Sequence, residues 1–291
     1  MPRRLDAWTT PGRAGAAAAR VLYQPRNRAR IAAGVVARAL PAATSHRAFP
    51  APDTQLIVEQ VAEITGVKAT AAAALHVRGT DRWLYALTNA DDAGVVVKVG
   101  KADDAGLARE ASALAALSEC ETTLQIPVLR WHGECDGWFA LVTNVVERRR
   151  GSDGTGIEDA RAAACALAGM SGGFVVHGDL APWNMVPSPA GLALVDWEKS
   201  RFEPDPLCDL AHYVIRSGAL LHWWRPRVAV RHLVGADSIG QRYLREIGVD
   251  PESAAEHLRR YLARPTSRTV NSSSIRRYEI EMVEVLRSNP A

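Results

Sequence analysis

Three side chains that carry carboxylate or amide oxygens follow one another in the segment 174–198. Asp179 and Asn184 are five residues apart, Asp196 follows after another twelve, and each adjoins a short apolar run. Phosphoryl transfer from a nucleotide needs a carboxylate to accept the proton of the acceptor hydroxyl, and it needs oxygen ligands for Mg²⁺. An aspartate, an asparagine and a second aspartate from adjoining loops can supply these groups. The spacing therefore indicates phosphoryl transfer.

Lys98 and Glu110 form a second candidate pair upstream. Lys98 ends an apolar, strand-like run, and Glu110 follows twelve residues later in a helical pattern. A lysine in such a place can contact phosphate oxygens while the glutamate orients it by ion pairing. Only four of the 35 Lys and Arg residues are Lys, so a lysine here suggests that an ammonium group is required. An ordinary strand-edge lysine is the alternative interpretation.

The residues before Glu147 alternate between helical and strand patterns. The run TQLIVEQVAEIT (54–65) has helical apolar spacing, and 102–117 predicts a second helix with Asp103 and Asp104 in its first turn. Short strand-like runs, the first three separated by turn residues, predict an antiparallel sheet. These runs are 73–80, 83–90, 94–100, 126–134 and 137–146.

The character of the sequence changes after Glu147. A polar, glycine-rich connection (148–156) leads into a helical pattern (156–170), then into short apolar runs between loops, and beyond residue 205 the patterns are largely helical. This order predicts an α+β protein with a small antiparallel β-sheet N-lobe that carries one key helix, and a larger, mainly helical C-lobe. The expected divisions are an extension at 1–52, an N-lobe at 53–147 and a C-lobe at 148–291.

The runs HGDLAPWN (177–184), VDWE (195–198) and DPLCDLA (205–211) together resemble the aminoglycoside phosphotransferase and choline kinase-like family. The resemblance extends in motif order over roughly residues 70–215, the scale of one such bilobal domain. It implies a bilobal, protein-kinase-like fold. It also implies an enzyme that uses ATP, or another nucleoside triphosphate, with Mg²⁺ to phosphorylate a hydroxyl group of a small molecule.

The same resemblance implies roles for individual residues. Asp179 would be the catalytic base, with Asn184 and Asp196 as Mg²⁺ ligands and Glu198 as an acid that assists the metal. Lys98 would contact the α- and β-phosphates and pair with Glu110. The hinge segment 142–146, with Thr143 and Val145, would bind the adenine edge, and Gly79, Thr80 and Arg82 are candidates for the loop that covers the nucleotide. His177 is expected to be a structural residue, and Asp209 is expected to cap its helix or brace the catalytic loop.

Two departures from the family pattern keep a different function open. The loop 78–82 has one glycine and is no GxGxxG, and only about thirty residues separate the hinge from His177, a span with room for one helix. The alternative is a catalytically weak, pseudokinase-like module that binds a nucleotide for regulation.

The charge of the segment 216–245 bears on the acceptor. It holds six arginines and a single acid, Asp237, whereas polycationic aminoglycosides need an acidic pocket. This composition favours a sugar or another neutral or anionic metabolite as the acceptor. The other interpretation is that these arginines point to water.

Composition limits the remaining classes. No apolar run reaches the roughly 18 residues needed to span a bilayer, and the four cysteines contain no CxxC pair, so we expect a reduced, cytoplasmic protein. Residues 1–50 carry nine arginines and one acid, Asp6. They could be a transit peptide, a basic arm for nucleic acid or an anionic surface, or a solvated extension, and the last is favoured because few aromatic residues accompany the arginines.

Overall fold

The computed structural model describes most of the chain after residue 53. The described residues are 7–9, 54–67, 71–77, 81–88, 94–135, 137–149, 155–170, 175–264 and 272–288. The chain divides into two compact units: the first comprises Met1–Glu119 and Ile126–Glu147, and the second comprises Cys120–Gln125 and Arg148–Ala291.

The first unit is built on an antiparallel sheet in the order β1-β2-β3-β4-β6-β5. The strands are β1 (Ala7–Thr9), β2 (Ala71–Val77), β3 (Arg82–Thr88), β4 (Val95–Lys101), β5 (Leu129–Cys135) and β6 (Trp138–Asn144). Helix α1 (Thr54–Thr65) precedes β2, and helix α2 (Ala105–Leu117) follows β4. Of the basic stretch 1–50, the structure describes Ala7–Thr9, which pairs with β2, and the rest lies outside the described residues.

The alternation of side chains along β4 separates the apolar core from the polar side chain of Lys98. Val97 and Val99 are fully buried in a cluster that includes Ile57 and Val61 of α1. Because successive strand residues point to opposite faces, Lys98 lies on the other face. One β-strand thus contributes both to the core and to a candidate functional side chain.

Helix α2 begins later than the sequence pattern suggests. The expected helix started at residue 102, but Asp104 is the N-cap, and its side chain accepts hydrogen bonds from the backbone N–H groups of Gly106 and Leu107. Because an aspartate competes for the first free N–H groups of a helix, the chain turns before Asp104 and the helix starts at Ala105.

The second unit is mainly helical and carries two small β-pairs. Strand β7 (Val175–Val176) pairs with β10 (Arg201–Phe202), and β8 (Met185–Ser188) forms a hairpin with β9 (Gly191–Leu194). The helices are α3 (Ile157–Ala168), α4 (Cys208–Leu221), α5 (Pro226–Val234), α6 (Ile239–Glu246), a 3₁₀ turn (Pro251–Ser253), α7 (Ala254–Leu262) and α8 (Ser272–Ser288).

The expected fold class is confirmed, because an antiparallel sheet with an associated helix forms one unit and a mainly helical unit follows. Within the described ranges, every helix is too short or too polar to cross a bilayer.

Candidate active-site residues

In the first unit, Lys98 and Glu110 form a close ion pair. The Lys98 Nζ atom lies 2.7 Å from both carboxylate oxygens of Glu110. The Lys98 side chain is 20% exposed and that of Glu110 is 4% exposed. Because a buried carboxylate is costly without a partner of opposite charge, the ion pair is held together, and Glu110 fixes the position of the Lys98 ammonium group. The ion pair between Lys98 and Glu110 that the sequence predicts is therefore present, with Glu110 contributed by α2.

Arg82 forms a second ion pair in this unit. Its Nε and Nη2 atoms donate to the two carboxylate oxygens of Asp104 at 2.6 and 2.7 Å. Burial would raise the pKa of Asp104, but the hydrogen bonds from Arg82, Leu107 and Gly106, together with the charge of Arg82, lower it below its usual range. This arginine, a candidate for the nucleotide cover, thus also stabilises the start of α2. The other candidates for that cover, Gly79 and Thr80, lie outside the described residues.

The candidate hinge residues lie at the end of β6. Thr143 pairs in the sheet with Val96 and Leu129. The backbone N–H of Val145 donates to the Gly94 carbonyl at 3.3 Å. An adenine edge that hydrogen-bonds to Val145 would therefore compete with Gly94 for this N–H group.

In the second unit, the loop after β7 is held by two buried residues. The His177 Nε2 atom lies 3.0 Å from the Val195 carbonyl oxygen, and the Asp179 backbone N–H donates to His177 Nδ1 at 3.3 Å. These partners assign the Nε2–H tautomer, and burial lowers the pKa of His177, which keeps the ring neutral. Asp209 of α4 accepts hydrogen bonds from the backbone N–H groups of His177 and Gly178 at 2.7 and 2.9 Å. His177 thus has the expected structural role, and Asp209 braces the loop rather than capping α4, whose N-cap is Leu207.

Gly178 has a backbone conformation that side chains disfavour. Its φ angle is +76°, and a Cβ atom at this position would lie 2.2 Å from the Lys199 carbonyl oxygen. Glycine is therefore required here both for the left-handed conformation and for the close approach of the chain.

Asn184 is oriented by the same loop. Its Nδ2 group donates to the Asp179 carbonyl oxygen at 2.9 Å, and the residue is 5% exposed. Because the amide nitrogen is used in this bond, Oδ1 is the atom that Asn184 would offer to a cation.

Asp196 and Glu198 follow strand β9. Asp196 has a φ angle of +73°, a left-handed conformation that is uncommon for residues other than glycine, although aspartate adopts it more readily than most. Between them, Trp197 is fully buried, and its Nε1–H donates to the Leu194 carbonyl oxygen at 2.9 Å. Trp197 is thus a core residue that anchors the strained turn. Backbone strain of this kind occurs preferentially at functional sites.

The carboxylate of Asp179 contacts two side chains that the sequence patterns did not assign to it. Oδ2 lies 2.9 Å from Lys199 Nζ, and Oδ1 lies 2.9 Å from His212 Nε2. Burial would raise the pKa of Asp179, but His212 and Lys199 hold it well below its usual range. Burial also lowers the pKa of His212, so His212 acts as a neutral N–H donor and the positive charge comes from Lys199. The scarcity of lysine was the signal that could have found Lys199.

The arginines of 216–245 are not gathered at Asp179. All but Arg216 are exposed, and Arg242 and Arg245 form surface ion pairs with Glu158 and Asp237. Arg216 differs, because its Nε atom lies 3.1 Å from His212 Nε2. Within the described residues, no group of three or more His, Cys, Asp or Glu side chains could hold a metal ion by itself.

Comparison with known proteins gives matches to solved structures alone, because no family model and no curated protein matches the sequence. A protein described as a fructosamine-3-kinase from Haemophilus somnus 129PT is 13% identical, with a TM-score of 0.49 over 80% of this chain and 96% of that chain. The amicoumacin kinase hAmiN, in complex with AMP-PNP, Ca²⁺ and Ami, is 11% identical, with a TM-score of 0.49 over 80% of this chain and 94% of its own. The streptomycin–ATP–APH(2″)-IIa complex is 14% identical, with a TM-score of 0.46 over 82% of this chain and 97% of that one.

These matches include the kind of enzyme that the sequence motifs resemble. Because the identities and TM-scores are low, the function proposed next rests on the residues of this chain.

Proposed function

We propose that this protein is a phosphotransferase that moves the γ-phosphoryl group of ATP, or of another nucleoside triphosphate, to a hydroxyl group of a small molecule. The observation that carries the proposal is the environment of Asp179. Its carboxylate is 14% exposed, contacts Lys199 and His212, and belongs to a loop that Asp209 braces. A carboxylate held in this way can orient a substrate hydroxyl and accept its proton.

Asp179 would orient the acceptor hydroxyl and receive its proton. The lowered pKa of Asp179 makes it a weak base, which suits a loose transition state in which the proton moves late. The acceptor oxygen forms the new bond to the γ-phosphorus, the bond from that phosphorus to the bridging oxygen breaks, and the nucleoside diphosphate leaves. Lys199, beside Oδ2 of Asp179, would counter the charge on the transferred group.

Lys98 would bind the non-transferred phosphates. Its ammonium group, fixed by Glu110 at 2.7 Å, offers a point charge of the type that contacts phosphate oxygens. Thr143 and Val145 would lie beside the adenine edge, where a bond from the Val145 N–H group would replace its bond to the Gly94 carbonyl, and Gly79, Thr80 and Arg82 would cover the phosphates. These assignments follow the family resemblance of the motifs.

Asn184, Asp196 and Glu198 would hold Mg²⁺. The orientation of the Asn184 amide, which directs its Nδ2 into the loop, fits this role because Oδ1 is then the outward ligand atom. Mg²⁺ is typically bound through one or two carboxylates together with substrate phosphates and water, so it needs no cage of three acidic side chains. When bound, the ion would neutralise charge on the phosphates.

The acceptor would be a sugar or another neutral or anionic metabolite. Support comes from the cations at Asp179, because Lys199 pairs with its carboxylate and Arg216 lies beside His212. Glu279 interacts electrostatically with Arg216, and burial raises the pKa of Glu279 while Arg216 and Arg276 oppose that rise. A polycationic acceptor would meet repulsion from Lys199 and Arg216.

The test is turnover of a panel of sugars, sugar phosphates, other hydroxyl metabolites and aminoglycosides with ATP and Mg²⁺. Asp179→Asn should bind nucleotide with little change and lose at least about 10²-fold in kcat, the effect of removing a general base. Asp103→Asn, the same chemical change at an exposed turn, is the control and should match the wild type.

Three outcomes would contradict parts of the proposal. Equal activity of wild type and Asp179→Asn would remove Asp179 from the mechanism. Phosphorylation of kanamycin-class compounds at low-micromolar KM would overturn the proposed acceptor class. ATP binding without turnover of any hydroxyl compound would favour the pseudokinase-like module. We also propose a cytoplasmic location, which the free thiols of Cys165 and Cys208 support because thiols stay reduced in that compartment.

A further inference from the structure

The ring of His212 connects Asp179 to the helical part of the second unit. His212 Nε2 lies 2.9 Å from Asp179 Oδ1, and His212 Nδ1 lies 2.8 Å from the hydroxyl oxygen of Tyr261. Their rings meet edge to face with centroids 6.4 Å apart. The histidine side chain is 10% exposed. Helices α4 and α7 thus both fix the ring that contacts the candidate base.

The partners assign the tautomer of His212. An ionised Asp179 can only accept a hydrogen bond, so Nε2 carries the proton, and Nδ1 accepts the hydroxyl hydrogen of Tyr261. The opposite tautomer would let Nε2 accept from Arg216 Nε at 3.1 Å. It would also place a ring lone pair against the charged Oδ1 atom, which is the more costly arrangement at 2.9 Å.

We propose that His212 is a positioning residue that fixes the rotation of the Asp179 carboxylate, with Tyr261 holding the histidine ring in the required tautomer. This proposal rests on the proposed function. With Oδ1 bound to His212, the carboxylate presents Oδ2, which faces Lys199, to the acceptor hydroxyl. Rotation of the carboxylate would break the bond to His212 and move the accepting oxygen. Side chains that fix the position of a reacting group are important because a displacement of that group by about 1 Å can lower the rate about 10²-fold.

The experiment compares His212→Leu, His212→Gln and Tyr261→Phe on the acceptor that the panel identifies. His212→Leu removes the N–H donor and should lower kcat about 10–100-fold, while both KM values stay within about threefold. His212→Gln retains an amide N–H donor and should recover most of kcat. Tyr261→Phe should lie between the wild type and His212→Leu. Thermal unfolding of each variant measures the fraction of folded protein, and each kcat is divided by that fraction.

A second buried histidine provides the matched control. His257 Nδ1 lies 3.0 Å from Asp205 Oδ1, and both side chains are less than 10% exposed. His257→Leu and His257→Gln should lower the unfolding temperature, yet the kcat of the folded protein should stay within about twofold of wild type. A merely structural role of His212 would give the same result for both histidines.

Nitrogen-15 NMR of the histidine rings tests the proposal without turnover. His212 should show a protonated Nε2 and an accepting Nδ1, and the Nε2 signal should shift in Asp179→Asn. A protonated Nδ1 would overturn the proposal, as would equal kcat values for His212→Leu and His212→Gln. If the wild type phosphorylates nothing in the panel, the proposed function fails, and the NMR result alone then decides whether His212 holds Asp179.

Discussion

Replacing Lys98 with methionine should destabilise the protein more than replacing its partner Glu110 with leucine. The first change leaves a carboxylate that is 4% exposed without its ammonium partner, whereas the second leaves an ammonium on a side chain that is 20% exposed. Breaking a buried pair costs several kcal/mol, so we expect about 3 kcal/mol for Lys98→Met. The ammonium left by Glu110→Leu can reach water along its flexible stem, so we expect about 1–2 kcal/mol for that variant.

The double variant separates stability from function. When both charges are replaced by apolar side chains of similar size, the free energy of unfolding should return to within about 1 kcal/mol of the wild type. Phosphotransfer should not return, because the phosphates would have lost the Lys98 ammonium. We expect both proteins without Lys98 to lose at least about 10²-fold in kcat/KM. Urea unfolding of the four proteins, with kinetics on the same samples, measures both effects.

Lys101 on the same strand is the control. It pairs with Asp81, and the two side chains are 64% and 62% exposed, so Lys101→Met should leave the midpoint of urea unfolding unchanged within error. The reasoning would be refuted if the double variant lost the sum of the two single effects. It would also be refuted if Lys98→Met kept the wild-type kcat/KM.

Two further predictions concern the loop before Asp179 and the start of α2. Gly178→Ala should cost at least about 2 kcal/mol and most of the activity, because a Cβ there clashes with the Lys199 carbonyl. Gly137→Ala, at a φ of +74° with nothing within 4 Å of the added atom, should cost only about 1 kcal/mol. Arg82→Gln should cost about 1 kcal/mol at pH 7. The folded-state pKa of Asp104 is lowered, so this contribution is present above the unfolded pKa of about 3.9 and is lost as the pH falls through the folded value. A stability difference between wild type and Arg82→Gln that persisted at the lowest pH would contradict this account, as would equal losses in the two glycine variants.

The local elements were largely predictable from the sequence because their patterns are periodic. Helix α1 occupies Thr54–Thr65, the range that its apolar spacing predicted, and the five expected strands of the first unit are present with ends shifted by a few residues. The start of α2 was wrong by three residues. Hydrophobic periodicity does not predict which of two neighbouring aspartates accepts hydrogen bonds from the free N–H groups at the start of a helix. In this protein Asp104 accepts them, so the helix begins at the next residue.

The number of charges in one segment of the sequence does not predict the charges around Asp179. The segment 216–245 is rich in arginine, but every one of its arginines except Arg216 is exposed to solvent. The excess of positive charge in the segment is therefore not concentrated at Asp179. Arg216 is the exception because its position on α4 puts it beside His212. The cations proposed to act on the acceptor, Lys199 and Arg216, belong to a turn and to α4.

The sequence alone determined the residue types that the proposed phosphoryl transfer needs and their order along the chain. The motif 177–184, with Asp179 and Asn184, and the later Asp196 could be selected there because their spacing is short and local. Tertiary structure decided which side chains the carboxylate of Asp179 contacts, since His212 and Lys199 reach it from 33 and 20 residues away. Such contacts depend on how helices and loops pack, and no local pattern encodes that packing.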